Sequence, residues 1–277
     1  MNIETLKCKA ANTLDLIAPK VKVGPPVWAG DLMARRRSTL LLRRLHRVTA
    51  IRIVRGYRTV SYASATVLAA SPPWELRALI LKRRYEQRRP WDPGGDSAEQ
   101  AALDDLGPAE EDAWDQWRSQ LINEAGEHRG AAAVLPNWGT WRSRRGLPLT
   151  FRMTQILTGR GVFGEYLKKI GRETTDICHH CGEDRDTAQH TLETCPAWEL
   201  PRYTLRQVIG ERLTPSAIIA AMLSGPQEYE AVRLFCERVM LAKERAERVR
   251  KRSSHPCRIT RWRRMAVRRP RPNSLPP

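Results

Sequence analysis

Apolar residues recur at helical spacing in a long stretch of the chain that carries no acid. Between Leu32 and Trp74 there is no Asp or Glu. Within it, apolar side chains follow one another every three or four positions with arginines between them, which predicts an amphipathic helix. Asp31 is the expected N-cap and Gly56 the expected stop. The expected core stripe is Leu41, Leu45, Val48, Ile51 and Val54.

The same periodicity, punctuated by Gly and Pro, predicts further helices. A short helix should end before Pro72-Pro73, and a third should run from Trp74 to Arg89, because Pro is favoured in a first turn. A helix from Pro108 should place Trp114, Trp117 and Leu121 on one face. The glycines at 159–164 should end one helix and begin another. Further helices are predicted from Thr214-Pro215 to Gly225-Pro226 and from Gln227 to Arg252. Since no segment alternates like a strand, the predicted fold class is mainly α.

Shifts in composition divide the chain into five predicted segments. Residues 1–90 form a helical region, and 91–130 an acidic linker with a helix. Residues 131–213 contain the cysteines discussed below, and 214–252 hold the C-terminal helices. Residues 253–277 are rich in Arg and Pro, which predicts a basic tail that is disordered alone.

The charge balance points to a polyanionic partner. The 277 residues carry 48 Lys and Arg against 30 Asp and Glu, a net charge of +18. Arginine's planar fork suits phosphates and base edges. Part of the arginine excess also fits a GC-rich coding sequence, and the basic faces also fit solvated helix surfaces. The arginines expected to contact RNA or DNA are Arg43, Arg44, Arg47, Arg55, Arg58, Arg142, Arg144, Arg145, Arg152 and Arg160.

Aromatic residues accompany the second group of these arginines, between Trp138 and Ile170. Aromatic side chains next to arginines can stack on single-stranded bases. Aromatic residues at helical spacing are also ordinary core residues, so both interpretations stand at this point.

Four residues have the types and spacing of a zinc site. Cys178, Cys181, His190 and Cys195 form the pattern C-x2-C-x8-H-x4-C. Zinc takes four tetrahedral thiolate or imidazole ligands, and a site with all four filled by protein is structural. Gly182 follows the second Cys, where positive φ is often needed. The alternatives are that these residues bind no metal, or that His179 or His180 replaces His190.

Other features bound the class of protein. The remaining cysteines, Cys8, Cys236 and Cys257, are scattered, and no apolar run is long enough to cross a bilayer. We therefore expect an intracellular, reduced protein in the nucleus or cytoplasm, with no membrane partner. The adjacent pair Asp104-Asp105 lies in a helix-end context rather than on a hairpin. With no P-loop or metalloprotease motif either, no catalytic residues and no activity of its own are expected.

Two stretches resemble the reverse transcriptases of insect non-LTR retrotransposons. The first, around Ile53-Val54-Arg55-Gly56-Tyr57 and Pro72-Pro73, is similar to the region after the polymerase domain in elements that insert into ribosomal DNA or telomeric repeats and carry an apurinic-type endonuclease. The second joins residues 151–159 and 161–167 to the cysteine cluster and resembles the C-terminal cysteine-histidine segment of those proteins. Arg160 and Val162 stand where that family often has His and Cys.

The resemblance implies a thumb-adjacent helical region with a zinc module, without the polymerase palm and the endonuclease. Such regions are expected to grip template RNA or target DNA during target-primed reverse transcription, beside the upstream polymerase region. Two alternatives remain: a piece of an RNA-directed DNA polymerase that acts only with its upstream domains, and a fragment retained by a host as an interaction module.

Overall fold

The computed structural model describes residues 29–30, 33–87, 106–124, 128–144 and 147–254. In these ranges the regular elements are all helical. The α-helices are α1 Arg36–Val54, α2 Tyr62–Leu68, α3 Trp74–Gln87, α4 Leu106–Glu124, α5 Arg129–Val134, α6 Trp138–Ser143, α7 Phe151–Thr158, α8 Gly164–Lys169, α9 Ala188–Glu193, α10 Glu199–Ile209, α11 Pro215–Ser224 and α12 Pro226–Ser254. Two 3-10 turns lie at Leu135–Asn137 and Pro196–Trp198. The mainly α prediction is confirmed for this part of the chain.

The first predicted helix is present as α1, but it buries a different face from the predicted one. Its C-terminus closes as expected at Gly56, whose N–H donates to the carbonyl of Ile51 at 3.0 Å. The predicted Asp31 cap lies outside the described residues, and Arg35 at the N-cap position makes no side-chain capping bond. The buried residues are Leu42, His46, Ala50 and Val54.

The predicted stripe of α1 is therefore wrong at three positions. Leu41, Leu45 and Val48 are each about half exposed, with relative exposures of 51, 47 and 50%. The reason is tertiary: α2 and α3 pack on the other face, where His46 lies against Tyr62 and Trp74. His46 is hydrogen-bonded on this face to Tyr62 and Ser71, so its polar atoms are satisfied although the ring is buried.

Helix α4 packs through the face that the sequence predicts. Trp114, Trp117 and Leu121 are buried. The two indoles meet Trp138 of α6 with ring centroids 5.7 and 5.2 Å apart. Edge-to-face packing of this kind adds to the stabilisation from burial alone. Pro108 lies inside the helix, which begins two residues earlier than predicted.

Short polar residues and glycines set several helix ends, as predicted. Thr214 caps α11 by accepting from the N–H of Ala217, and Gly159 ends α7 with φ 66°. Helices α11 and α12 confirm the predicted short and long C-terminal helices, separated at Gly225-Pro226. The predicted extension of α3 to Arg89 falls partly outside the described residues.

Three helices escaped prediction: α5, α6 and α10. Helix α10 begins at Glu199 after Trp198, which makes no side-chain capping bond at the N-cap position, and it contains Pro201 in its first turn. An uncapped Trp and a Pro do not mark a helix start clearly in a sequence, although Pro is tolerated in a first turn. Helices α5 and α6 have only six residues each, too few to show a period.

Buried apolar residues from α1 to α12 belong to one continuous cluster. Helix α12 supplies Val232, Phe235, Val239 and Met240 to it. Residues 178–195, called the cysteine segment below, contribute Cys178, Leu192 and Cys195 to the same cluster. The division of the chain into five segments stays a prediction.

Candidate metal centre and arginine surfaces

The four predicted ligands converge in space. Cys178, Cys181, His190 and Cys195 each direct one ligand atom to a common point, and these atoms all lie within 4.8 Å of one another. The Sγ atoms of Cys178 and Cys195 are 3.9 Å apart, and Cys181 Sγ is 3.3 Å from His190 Nε2. Cys178 and Cys195 are fully buried, whereas Cys181 and His190 are partly exposed.

A tight backbone turn brings the first two cysteines together. The N–H of Gly182 donates to the carbonyl of Cys178 at 2.8 Å, and the N–H of Cys178 donates to the carbonyl of Glu183 at 2.8 Å. Gly182 has φ 86°, which confirms the expected positive φ. A side chain rarely adopts this conformation, so glycine is the residue that lets the turn close.

Helix α9 presents the other two ligands. Thr187 caps it by accepting from the N–H of His190 at 2.9 Å. The N–H of Cys195 donates to the carbonyl of His190 at 2.8 Å, which brings Cys195 back beside the same turn. Thr194 Oγ1 lies 3.0 Å from His190 Nδ1 and orients the ring so that Nε2 faces the cysteines. A partner on the second ring nitrogen is typical of a metal-ligating histidine.

The neighbouring histidines take no part in the cluster. His180 packs its ring against Trp198, with centroids 4.7 Å apart, and His179 is exposed. The structure thus favours His190 over both as the fourth member.

Burial governs the ionisation of the cysteines. It raises the pKa of Cys195 to about 12 and raises the pKa of Cys178. Burial also lowers the pKa of His190. Burial therefore favours the neutral thiols over the charged thiolates. A bound metal ion would reverse this preference, because its positive charge stabilises the thiolate form.

Two buried cations that the sequence analysis missed surround the cluster. Arg202, 1% exposed, donates to the carbonyls of Leu192 and Cys195 at 2.9 and 2.7 Å. Lys243 of α12, also 1% exposed, contacts Asp186 at 2.7 and 2.9 Å and Thr191 at 3.3 Å. The sequence could have indicated that both positions are buried. Arg202 lies three residues before the core residue Leu205 on α10, and Lys243 lies three residues after the core residue Met240 on α12. Residues three apart share a helix face.

Of the nine predicted nucleic-acid arginines that the structure describes, five form side-chain hydrogen bonds or ion pairs within the protein. Arg43 pairs with Glu75 at 2.6 Å, and Arg47 donates to the carbonyls of Arg58 and Val60. Arg142 pairs with Glu111, and Arg152 bridges Glu237 and Glu244 at 2.6 and 2.8 Å.

Arg144 is the most enclosed of the set. Its guanidinium lies 3.5 Å from the ring centre of Trp141 and donates to the carbonyls of Trp141 and Leu68. Burial lowers its pKa to about 9. This arginine joins α6 to α2.

Four of the remaining predicted arginines lie among the described residues. Arg44, Arg55 and Arg58 are exposed on or just after α1, and Arg160 lies over Tyr166 near α8. Arg145 lies outside the described residues. Of the aromatic residues proposed for stacking, Trp138, Trp141, Phe163 and Tyr166 are buried, which favours the core interpretation, and Phe151 is 37% exposed.

Comparison with known proteins finds relatives among insect mobile elements. The chain is 26% identical over 239 residues to the 115 kDa protein of the type-1 retrotransposable element R1DM of Drosophila melanogaster, covering 82% of this chain and 22% of that protein. It is 27% identical over 217 residues to the Pol polyprotein of the element R1 4 of Nasonia vitripennis, covering 72% and 53%.

A third R1 Pol polyprotein, from Bradysia coprophila, is 27% identical over 184 residues, covering 64% of this chain and 18% of that protein. The chain is a homologue of the R1 non-LTR retrotransposon proteins of insects. The expected resemblance is confirmed, and the R1 homologue spans between about a fifth and about half of these relatives' lengths. No protein-family model and no solved structure matches it. None of the described helices of this R1 homologue is long and apolar enough to span a bilayer.

Proposed function

We propose that this chain is a nucleic-acid-binding, zinc-containing C-terminal region of an R1-type reverse transcriptase. Its role is to hold template RNA or target DNA beside the upstream polymerase region during target-primed reverse transcription, without polymerase activity of its own. The homology to R1 Pol polyproteins is the observation that carries this proposal. A net charge of +18 supports a polyanionic partner.

Zinc is the metal that best fits the cluster. Zn–S bonds of about 2.3 Å at tetrahedral angles put two thiolate sulfurs about 3.8 Å apart, and a Zn–N bond of about 2.1 Å puts sulfur and nitrogen about 3.6 Å apart. The corresponding separations here are 3.9 and 3.3 Å. A Cys3His set with four protein ligands leaves no place for a reacting water, so the proposed site is structural.

The contacts within the protein narrow the proposed nucleic-acid surface. Arg44, Arg55 and Arg58 are exposed, and they lie on or just after α1. Side chains already bonded to carbonyls and carboxylates, such as Arg144 and Arg152, contribute mainly to folding. We therefore propose that Arg44, Arg55 and Arg58 make the sequence-independent contacts with the nucleic-acid backbone.

Salt dependence tests the nucleic-acid proposal. Each phosphate neutralised contributes about 0.9 to the slope of log affinity against log salt, so four contacts weaken binding about 100-fold between 50 and 200 mM salt. Fluorescence anisotropy with labelled RNA and DNA at both concentrations measures this. Equal affinity at both concentrations contradicts the proposal, and primer extension by this chain alone contradicts the absence of polymerase activity.

Metal analysis tests the zinc proposal. We expect one zinc ion per chain by mass spectrometry, and a marked loss of thermal stability in Cys178→Ser, since it removes a buried ligand. Cys236→Ser is the matched control, because Cys236 is equally buried but lies in α12 outside the cluster. Zinc-free protein, or equal stability of Cys178→Ser and Cys236→Ser, contradicts a structural site.

A further inference from the structure

A polar cavity of about 250 Å³ lies between α2, α5 and α8, at the end of α7. Its lining includes the cations Arg129, Arg160 and Lys169 and one acid, Glu165. Three positive charges against one negative leave a net charge of +2 on the lining side chains. The hydroxyl-bearing residues Ser61, Ser64, Thr158 and Tyr166 also line it.

Arg129 is a fixed cation in this cavity. It donates to the side-chain oxygen of Gln189 at 2.8 Å and to the carbonyl of Ile156 at 3.4 Å. Both partners are uncharged, so neither neutralises the guanidinium. Burial lowers the pKa of Arg129, and it outweighs the opposing effect of the negative charges of Glu193 and Glu165.

The other charged residues place positive charge at the cavity wall. Arg160 lies 5.3 Å from the ring centre of Tyr166, a contact that positions it without cancelling its charge. Lys169 is exposed at the end of α8. Glu165 is paired with Arg185 at 2.5 Å, so its carboxylate is already engaged.

The dimensions suit a phosphate carried on a sugar. At about 30 Å³ per water, the cavity has room for about eight waters, more than a phosphate group alone requires. Arginine and lysine donors together with hydroxyls are the usual contacts of a nucleic-acid backbone. The wall residues come from four elements of one core, so the cavity needs no ligand to assemble it.

We infer that this cavity binds one sugar-phosphate unit, held by Arg129, Arg160 and Lys169. The inference rests on the proposed nucleic-acid function and assigns it a cavity whose lining contains none of the arginines of α1. The same chemistry is offered by a nucleic-acid strand and by a free nucleotide. The strand is the favoured source because Lys169 extends the positive charge from the cavity to the protein surface.

The test is a charge-removing double variant, Arg160→Gln/Lys169→Gln. Arg129 is left in place because its bond to Gln189 contributes to folding. The control, Arg172→Gln/Arg248→Gln, removes the same charge from exposed positions outside the cavity lining. Affinity for a short fluorescein-labelled single-stranded RNA is measured by anisotropy over a range of salt, after circular dichroism has confirmed folding.

We expect the cavity variant to weaken binding about tenfold and to reduce the salt slope by about 1, the loss of one phosphate contact. The control should change affinity by less than about threefold, because Arg172 and Arg248 lie outside the cavity lining and act on the bound RNA only through salt-screened solvent. Equal losses of RNA affinity in the two variants contradict the proposal that the cavity binds the RNA. Failure of the unaltered protein to bind either labelled RNA or labelled DNA overturns the proposed function instead.

Competition distinguishes the two phosphate sources. Adenosine monophosphate and inorganic phosphate are added separately to the labelled complex, at equal ionic strength. Weak competition by both supports a site for a strand. Displacement by adenosine monophosphate at micromolar concentration, lost in the cavity variant, overturns the strand assignment in favour of a free nucleotide.

Discussion

His46 shows how a single residue can reverse the face that a helix buries. Its ring nitrogens lie 3.0 Å from the hydroxyl of Tyr62 and 2.9 Å from that of Ser71, and it stacks on Trp74 with centroids 4.8 Å apart. Hydropathy alone marks histidine as a surface residue, so the sequence pattern chose the leucines instead. The packing partners come from α2 and α3, which the local pattern of α1 does not encode.

The buried imidazole predicts a pH-dependent stability. Burial lowers the pKa of His46 from 6.5 to about 3. Above pH 6.5 the ring is neutral in both states. Between pH 6.5 and 3 only the unfolded chain takes up the proton, so stability falls as pH falls. From pH 7.5 to 5.0 this residue should cost about 2 kcal/mol of unfolding free energy, measured by urea denaturation.

The variant His46→Gln should lose less stability over the same pH interval, because Gln has no titrating group while it retains polar atoms for the two hydroxyls. His128→Gln, at a partly exposed position, is the control and should keep the full dependence. If His46→Gln and the unaltered protein lose equal stability between pH 7.5 and 5.0, the buried neutral ring is not its source.

At the scale of elements, the cysteine segment and the long helix α12 are joined by a buried ion pair. Both side chains of the Lys243–Asp186 pair are almost fully buried, with exposures of 1 and 6%. Asp186 also accepts from the N–H of Gly164 at 3.0 Å, which connects α8 to the same point. The sequence predicted α8 and α12 but not this connection, because a pair 57 residues apart leaves no local pattern.

Lys243→Met should destabilise the protein by about 3–5 kcal/mol, because it leaves the Asp186 carboxylate buried without a counter-charge. The double variant Lys243→Met/Asp186→Asn should recover part of this loss. Arg233→Met, which breaks a partly exposed pair with Glu230 on the same helix, should cost no more than about 1 kcal/mol. Thermal and chemical denaturation measure all three, and similar losses for Lys243→Met and Arg233→Met would contradict a stabilising buried pair.

At the scale of the whole molecule, composition and spacing predicted a helical, basic protein with four convergent metal-ligand residues. They did not predict how the parts join. Compositional changes suggested five segments, whereas buried residues of the cysteine segment and of α2, α6 and α12 lie in one cluster. Long-range packing of this kind arises from side chains such as Trp141, whose indole N–H donates to the carbonyl of Val67 at 2.9 Å.

This continuity predicts that losing the metal affects helices far from it. Because Cys178 and Cys195 share a core with Leu68 and Trp141, chelation should lower the midpoint of one cooperative transition rather than melt the cysteine segment alone. Each kcal/mol lost corresponds to about 2–4 °C for a chain of this size, and structural zinc contributes several kcal/mol. We expect the midpoint to fall by about 10 °C or more with 1,10-phenanthroline, reversibly on adding zinc.

Two probes separate global from local unfolding after chelation. Far-ultraviolet circular dichroism reports on all helices. Tryptophan fluorescence is recorded on a Trp198→Phe variant, which lacks the indole that packs against His180 and keeps Trp114, Trp117 and Trp138, which pack together between α4 and α6. Coincident shifts in both signals support one cooperative unit, since coincidence of probes is the test of a two-state transition. An unchanged fluorescence midpoint beside a shifted circular dichroism midpoint would instead make the cysteine segment an independently folding module, as its composition suggested.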